Sequence, residues 1–171
     1  SSNFKCDVVL GVSRGGCIPG IIVHEYLNYK DMKCDYSNVS IKSYNDDNTQ
    51  SNNTFIDMSD YTKEQLKDKQ ILIIDDVFDT GYTIMNICNY LYQISLTSDK
   101  FKVATPYYKS KFNKTTIIPD YYIDITPFFE QKKASIMCHK TQHPEKFVKA
   151  VEIMNSFRAS QCNQKQGNYA E

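Results

Sequence analysis

The segment 71–83 constrains the fold of this 171-residue chain more than any other part of the sequence. It begins with four apolar residues, Ile-Leu-Ile-Ile, which are rich in β-branched side chains and too few to form a core helix. Two adjacent carboxylates, Asp75 and Asp76, follow directly, and the sequence Asp-Thr-Gly-Tyr-Thr starts at Asp79. We therefore predict a buried strand whose carboxyl end leads through an acidic turn into an amphipathic helix.

The later part of this segment has the chemistry of a phosphate-binding turn. Thr80 and Gly81 are small enough for backbone N–H groups to approach an anion, and the hydroxyls of Thr80 and Thr83 add donors. The start of the following helix adds unpaired N–H groups and a positive dipole end. The two carboxylates suit sugar hydroxyls or hydrated Mg²⁺ instead. Residues 75–83, the ribose-phosphate segment, therefore indicate a phosphorylated ribose; the alternative is a core strand followed by an acidic turn.

Strands and helices alternate along the chain, which favours an α/β fold with a mainly parallel sheet flanked by helices. We predict strands over 6–12, 34–44, 71–74, 101–108 and 121–125, a helical turn within 62–68, and helices that contain 18–29, contain 84–94 and begin at Pro144. The polar composition of residues 45–53 predicts a mobile lid loop over about 45–60. We expect a single domain over 1–160 and a polar tail over 161–171.

A second candidate anion-binding turn, residues 13–16, lies between the first strand and the first helix. Gly15 and Gly16 free the backbone to turn its N–H groups inward, and Arg14 supplies an always-charged guanidinium that suits phosphate oxygens. Glycine pairs at such turns are common. This Arg14 turn gains significance because it precedes the ribose-phosphate segment by one βα unit.

The ribose-phosphate segment resembles the signature of the type I phosphoribosyltransferases, which bind 5-phosphoribosyl-1-pyrophosphate (PRPP). Residues 13–20 (Ser-Arg-Gly-Gly-Cys-Ile-Pro-Gly) and 43–48 (Ser-Tyr-Asn-Asp-Asp-Asn) resemble the bacterial xanthine-guanine enzymes, and residues 42–44 are also similar to the hypoxanthine-guanine enzymes. The resemblance extends from about residue 8 to about residue 124. It implies the type I phosphoribosyltransferase fold with a small irregular hood.

The resemblance also implies an activity in purine salvage. The 5-phosphoribosyl group would pass from PRPP to guanine, xanthine or hypoxanthine, with release of pyrophosphate. Mg²⁺ would be the cofactor, held by Asp76 and Asp75. In the family the equivalent of the Arg14 turn binds pyrophosphate, often with a cis peptide bond, which we expect here around Ser13 and Arg14. Family members are dimers or tetramers, so we expect a homodimer or homotetramer.

Individual roles follow from the same resemblance. Asp79 would take or hold the purine N7 proton, and Lys109 would donate to the purine 6-oxo group, although an exposed lysine is often simply solvated. Phe129, or its neighbour Phe128, would stack on the base, although aromatic residues near strand ends are often core residues. The expected catalytic residues are Asp79, Arg14, Ser43 and Tyr44, the last two on the lid. The expected PRPP ligands are Ser13, Arg14, Gly15, Asp75, Asp76, Asp79, Thr80, Gly81, Tyr82 and Thr83.

Composition restricts the other classes of function. Lys plus Arg and Asp plus Glu both total 20, so the net charge favours neither nucleic acid nor a membrane surface. No apolar run reaches transmembrane length, and no signal-peptide pattern occurs. The family has a helix before the first strand, so we expect an N-terminal segment to be missing here. The cysteines lack paired spacing, which favours a reduced, cytoplasmic protein: Cys6, Cys17, Cys34, Cys88, Cys138 and Cys162.

Three alternatives stay open at this point. A PRPP-binding regulator is disfavoured by Asp79 and the lid, since a sensor needs neither a proton acceptor nor a closing loop. A transferase for adenine, a pyrimidine or an unusual base stays open because the chain has no Trp, and no acidic segment that would complete a base pocket follows Asp124. The third alternative is a homologue that has lost catalysis.

Overall fold

The computed structural model describes residues 4–43, 54–58, 60–109, 112–138, 140 and 143–161. The chain divides into two compact units, Ser1–Ile117 and Ile118–Glu171. The single domain over 1–160 that the sequence suggests stays a prediction.

The described part of the first unit contains strands and helices in alternation. Its strands are β1 (Val8–Val12), β2 (Asp35–Ser43), β3 (Thr54–Asp57), β4 (Ile71–Ile74), β5 (Val77–Phe78), β6 (Phe101–Ala104) and β7 (Tyr107–Tyr108). Its helices are α1 (Cys17–Tyr29), α2 (Lys63–Leu66) and α3 (Tyr82–Gln93). The main sheet has the order β3-β2-β1-β4-β6, and β5 pairs separately with β7. Only β3 is antiparallel to its neighbour, so the predicted mainly parallel α/β sheet is confirmed.

Strand β1 is the centre of this sheet and is buried along its whole length. Its alternate residues Val8, Leu10 and Val12 enter a core that also contains the inner face of α3. Val9 enters a second core on the other side, together with residues of α1. A strand covered on both faces explains why its sequence is apolar throughout rather than alternating.

Helix α1 turns a large apolar surface away from the sheet. Val23 and Leu27 pack on the sheet, and Gly20 is the residue of α1 that is fully buried. The residues whose spacing predicts the helix lie on the opposite side and are 47–80% exposed; we call them the α1 stripe: Ile18, Ile21, Ile22, Tyr26 and Tyr29. The helix is therefore confirmed, but its regularly spaced large residues do not form the core-facing side.

Of the other predicted elements, two helical segments are confirmed, one strand is wrong and the lid is described only in part. The apolar face of α3 is buried as predicted, and α2 begins after a Thr62 capping box within the predicted helical turn. The predicted strand over 121–125 is wrong, because Tyr121 and Ile123 are exposed and only Asp124 forms an isolated bridge. In the predicted lid, residues 54–57 form β3, whereas 44–53 and 59 lie outside the described residues.

The second unit contains a 3-10 helix (Thr126–Phe128) and two helices that pack together, α4 (Phe129–Met137) and α5 (Pro144–Gln161). Helix α5 begins at Pro144 as predicted, whereas α4 is not predicted from the sequence. Within α5, Asn155 is buried and accepts a hydrogen bond from Lys132 Nζ at 3.2 Å. Most of the predicted tail, residues 162–171, lies outside the described residues. Among the described helices, none has the length and apolar character needed to cross a membrane.

Candidate functional site

The Arg14 turn and the ribose-phosphate segment lie side by side because they follow β1 and β4, which are parallel neighbours. Their glycines allow a very close approach. A Cβ atom on Gly16 would overlap the Ile74 carbonyl oxygen and lie 2.9 Å from Asp75 Cα. A Cβ atom on Gly15 would overlap the carboxylate of Asp76. The backbone of one turn therefore borders the acidic pair of the other, at the sheet edge where α/β proteins bind ligands.

Backbone hydrogen bonds anchor the Arg14 turn, and its residues 13–15 are exposed to solvent. The Ser13 N–H group donates to the Val39 carbonyl at 2.8 Å, and the Gly16 N–H group donates to the Val12 carbonyl at 2.8 Å. The peptide bond between Ser13 and Arg14 is cis, as the family resemblance predicts. Ser13, Arg14 and Gly15 are exposed, so their polar groups are accessible to an anion.

The two adjacent carboxylates occupy different environments. Asp75 is 7% exposed, and its Oδ1 accepts a hydrogen bond from the Asp76 N–H group at 3.0 Å. Burial, followed by a side-chain hydrogen bond with Asp76, raises the pKa of Asp75 to about 7. Asp76 is exposed. Asp76 can therefore contact a ligand directly, whereas Asp75 supports the Asp76 backbone from the interior of the protein.

The phosphate-binding turn has the geometry that its sequence predicts. Gly81 has a φ of 85° and precedes the first residue of α3, and no side chain caps this helix. The N–H groups of the first turn of α3, including Tyr82 and Thr83, are thus left for a ligand. Asp79, Tyr82 and Thr83 are exposed and Thr80 is half-buried, so the turn faces solvent.

Asp79 and Lys109 form an ion pair across this site. Strands β5 and β7 are parallel, and the Lys109 N–H group extends their pairing by donating to the Phe78 carbonyl at 2.8 Å. Lys109 Nζ consequently lies 3.1 Å from Asp79 Oδ2, with both side chains partly exposed. The two residues are 30 positions apart, and the sequence alone contains no signal for their direct contact.

The sequence also does not mark residues 112–117, which pack against the phosphate-binding turn. The Lys114 N–H group donates to the Thr80 carbonyl at 2.9 Å. A Cβ atom on Gly81 would lie 2.7 Å from Thr115 Oγ1 and 2.9 Å from the Phe78 ring. No periodicity or motif identifies this segment; only its hydrogen bonds show that it shapes the turn.

The remaining predicted site residues belong to β2, to the second unit or to the part of the chain outside the described residues. Ser43 is the last residue of β2 and pairs with Thr54, and Tyr44 lies outside the described residues. Phe129 belongs to the second unit, where it is 1% exposed, so its ring has no free face on which a base could stack. Phe128, its predicted alternative, is 60% exposed.

Comparison with known proteins places these features in a family. Residues 1–133 match the model of the phosphoribosyl transferase domain. The xanthine-guanine phosphoribosyltransferase of Idiomarina loihiensis is 34% identical over 76 residues, a match that spans 44% of this chain and 43% of that protein.

Two solved structures are similar in fold. A purine phosphoribosyltransferase from Pyrococcus horikoshii Ot3 has 27% identity and a TM-score of 0.52, with 69% of each chain covered. A hypoxanthine phosphoribosyltransferase from Staphylococcus aureus has 20% identity and a TM-score of 0.52, with 70% of this chain and 61% of that chain covered. At 20% identity the second similarity concerns the fold alone. Because the family model spans well over half of the sequence and the two turns have the geometry described above, the chain belongs to the phosphoribosyl transferase domain family.

Proposed function

We propose that the protein transfers the 5-phosphoribosyl group from PRPP to a 6-oxopurine and so acts in purine salvage. The observation that carries this proposal is the contact of 3.1 Å between Lys109 Nζ and Asp79 Oδ2. A 6-oxopurine presents O6 and N7 on one edge, and with a proton on N7 this edge offers an acceptor beside a donor. Lys109 would donate to O6 and Asp79 would accept from N7, so the pair is complementary to that edge.

This pairing also supports discrimination against adenine. Adenine carries an amino group in place of O6, and an amino group cannot accept a hydrogen bond from the Lys109 ammonium. Guanine, xanthine and hypoxanthine all retain O6, so all three are proposed acceptors. When the base binds, the direct contact between Lys109 and Asp79 would be replaced by two contacts to the base, one from Lys109 to O6 and one from N7 to Asp79.

PRPP would bind across the two turns. The ribose-phosphate segment would hold the 5′-phosphate with the N–H groups of α3 and the hydroxyls of Thr80 and Thr83. Asp76 would accept hydrogen bonds from the ribose hydroxyls, with Asp75 behind it. Arg14 and the Gly15 N–H group would bind the pyrophosphate, because guanidinium and backbone donors suit phosphate oxygens.

In the reaction the purine N9 would form a bond to the anomeric carbon as the bond to the pyrophosphate oxygen breaks. Positive charge develops on the ribose and negative charge on the leaving group, which Arg14 would stabilise. Asp79 would take the N7 proton of the base. We further propose that Ser43 and Tyr44 exclude water, which otherwise competes for the ribosyl cation.

The acidic residues also fit Mg²⁺. This ion is usually held in proteins by one or two carboxylates together with substrate phosphates. The exposed Asp76 borders the Gly15 backbone, so one carboxylate lies where ribose and pyrophosphate would meet, and Asp75 adjoins it. When bound, Mg²⁺ would offset charge on the pyrophosphate.

The proposal also covers the cellular compartment and the oligomeric state of the protein. A reducing cytoplasm is supported by the five described cysteines, all of which are free: Cys6, Cys17, Cys34, Cys88 and Cys138. A homodimer or homotetramer is proposed from the family resemblance.

The test is pyrophosphate release from PRPP and Mg²⁺ with guanine, xanthine, hypoxanthine and adenine supplied separately. We expect turnover with at least one 6-oxopurine and little with adenine. Lys109→Met should remove the preference, whereas Lys102→Met, at an exposed lysine of β6, serves as a matched control. Turnover with adenine alone would contradict the proposed base. PRPP binding measured by calorimetry without turnover on any base would favour the regulator or another acceptor instead.

A further inference from the structure

The side-chain amide of Asn113 makes four hydrogen bonds beside the phosphate-binding turn. Its Nδ2 atom donates to Tyr108 Oη at 3.0 Å and to the Ile117 carbonyl at 2.7 Å. Its Oδ1 atom accepts from the Thr115 N–H group at 2.9 Å and from Thr115 Oγ1 at 2.8 Å. Both donor hydrogens and both acceptor lone pairs of the amide are therefore used within the protein. Because a backbone N–H group can only donate, Thr115 also determines which way the amide is turned.

The segment 113–117 has alternating burial. Asn113, Thr115 and Ile117 are half-buried, whereas Lys114 and Thr116 between them are exposed. Ile117 packs on the core of the first unit, and its N–H group donates to Thr115 Oγ1 at 3.3 Å. The Asn113 amide therefore joins strand β7 to both ends of a segment that is anchored in the core.

Thr115 brings this network to Gly81. A Cβ atom on Gly81 would lie 2.7 Å from Thr115 Oγ1, so the hydroxyl occupies the side on which a side chain would otherwise stand. The Phe78 ring borders the same side, 2.9 Å from that Cβ position, and it packs edge-on against the Tyr108 ring with centroids 5.4 Å apart. A ring of contacting side chains thus borders Gly81: Phe78, Tyr108, Asn113 and Thr115.

The same segment fixes the peptide group between Thr80 and Gly81. The Lys114 N–H group donates to the Thr80 carbonyl at 2.9 Å. In a trans peptide bond the carbonyl and N–H groups lie in one plane and point in opposite directions. The Gly81 N–H group therefore points away from Lys114, and the position of Lys114 determines its direction.

Resting on the proposed function, we infer that Asn113 is a positioning residue for the 5′-phosphate of PRPP. Its hydrogen bonds hold Thr115 and the adjacent Lys114. These two residues border the turn that would bind the phosphate, at Gly81 and at the Thr80 carbonyl. They order the turn before the ligand arrives, and a turn that is already ordered loses less conformational entropy on binding. Asn113 acts through these neighbours and does not touch the substrate.

The test uses variants that remove the network without adding a charge near the phosphate. Asn113→Ala removes all the hydrogen bonds of the amide, and Thr115→Val replaces the hydroxyl by a methyl group at almost constant size. Asn89→Ala and Thr116→Val are the matched controls. They make the same chemical changes at exposed positions, Asn89 on α3 and Thr116 within the segment itself.

Calorimetry in Mg²⁺, with PRPP and separately with pyrophosphate, measures affinity without requiring turnover. We expect both network variants to raise the Kd of PRPP about tenfold, and its KM likewise, because the phosphate pocket must then become ordered as the ligand binds. The Kd of pyrophosphate, which would bind at the Arg14 turn, should stay within about twofold of wild type. The kcat at saturating PRPP should also stay within about twofold, and the two controls should change none of these values by more.

A PRPP affinity that is unchanged in Asn113→Ala would make Asn113 a structural residue and overturn the inference, even if the melting temperature falls. An equal loss of affinity for pyrophosphate would overturn it as well, because the effect would then not be confined to the 5′-phosphate pocket. If Asn113→Ala does not fold, the comparison of Thr115→Val with Thr116→Val decides, and equal effects of these two variants contradict the inference.

The same measurements separate the inference from the proposed function. Wild type that binds PRPP without turnover on any base contradicts the proposed function alone, and the Kd values of the variants then decide the role of Asn113. Wild type that does not bind PRPP contradicts both.

Discussion

Asp75 and Asp76 show how far two adjacent residues of one type can differ. Asp76 is exposed beside Gly15, whereas Asp75 is buried and hydrogen-bonded to the Asp76 backbone. Both residues come after Ile74, the last residue of β4, and they differ in burial: Asp75 is 7% exposed and Asp76 lies on the exposed side of the turn. The sequence predicts both as ligands of ribose and Mg²⁺, and the burial of Asp75 supports a direct role for Asp76 and an indirect one for Asp75.

The raised pKa of Asp75 predicts a pH-dependent stability. The folded protein retains a proton on Asp75 up to about pH 7, whereas the unfolded chain loses it near the ordinary value of 3.8. The free energy of unfolding should therefore fall as pH rises from about 4 to about 7, by at most ~1.4 kcal/mol per pH unit from this group. Asp75→Asn should gain stability over wild type across this window. Urea unfolding in EDTA at several pH values measures the free energy of unfolding of both proteins. A stability difference between them that does not change with pH would contradict the prediction.

Asp79→Asn should separate catalysis from PRPP binding. The variant keeps the size of the side chain but loses the proton acceptor and the ion pair with Lys109. We expect kcat to fall about 10²- to 10³-fold, while the PRPP Kd stays within about threefold. Asp68→Asn is the control, because Asp68 is exposed near the opposite end of β4. Equal losses of turnover and of PRPP affinity would refute the role assigned to Asp79.

At the scale of elements, α3 is bounded at both ends by residues with positive φ. Gly81 precedes it with a φ of 85°, and Ser95 follows its C-cap with a φ of 71°. The Leu96 N–H group donates back to the Leu91 carbonyl at 3.0 Å, which closes the helix in the manner usual for a left-handed terminal residue. Glycine, which this conformation favours, lies at the N-terminal end of α3, whereas the C-terminal end has a serine, which this conformation disfavours.

Gly81→Ala should destabilise the protein by about 1–3 kcal/mol. Alanine is strained at this φ, and its Cβ would press against Thr115 and Phe78. The PRPP affinity should fall as well, since the same residue shapes the phosphate-binding turn. Urea unfolding and calorimetry measure the two effects, and a variant as stable as wild type would show that the turn can relax.

Ser95→Gly should stabilise the protein by about 0.5–1 kcal/mol, because glycine removes the cost of a left-handed conformation at an exposed helix end. The measurement is urea unfolding, with kcat expected to be unchanged because Ser95 lies at the far end of α3 from Gly81. Loss of stability would mean that the serine side chain has a role that its exposure does not indicate.

At the scale of the whole molecule, stability should be greatest in the middle of the main sheet. Strand β1 is paired on both sides and β4 lies beside it, whereas β3 and β6 are the edges.

Hydrogen exchange followed by mass spectrometry should therefore find the slowest amides in β1 and β4. Exchange in β3 and β6 should be faster at the same pH, because an edge strand can open without breaking a second ladder. Edge strands that exchange as slowly as β1 would contradict the prediction.

Much of this protein could be predicted from residues that are adjacent in the chain. The strand at 71–74, the acidic and small residues after it, the Gly15-Gly16 turn and the alternation of elements each depend on local pattern and turn chemistry. Helix α5 follows from Pro144 for the same reason. These features determine the α/β fold and the two anion-binding turns, since a few neighbouring residues are enough to specify them.

Contacts between distant residues were decided only by the tertiary structure. Strand pairing brings Asp79 to Lys109, the close approach of two turns places Gly15 on Asp76, and docking on the sheet leaves the α1 stripe exposed. Residues 121–125 are rich in aromatic and β-branched residues, as strands are, but they form only an isolated bridge at Asp124, because a strand also needs a neighbour with which to pair along its length. A local pattern specifies the shape of a segment, whereas partner, depth of burial and exposed face depend on what the rest of the chain packs against it.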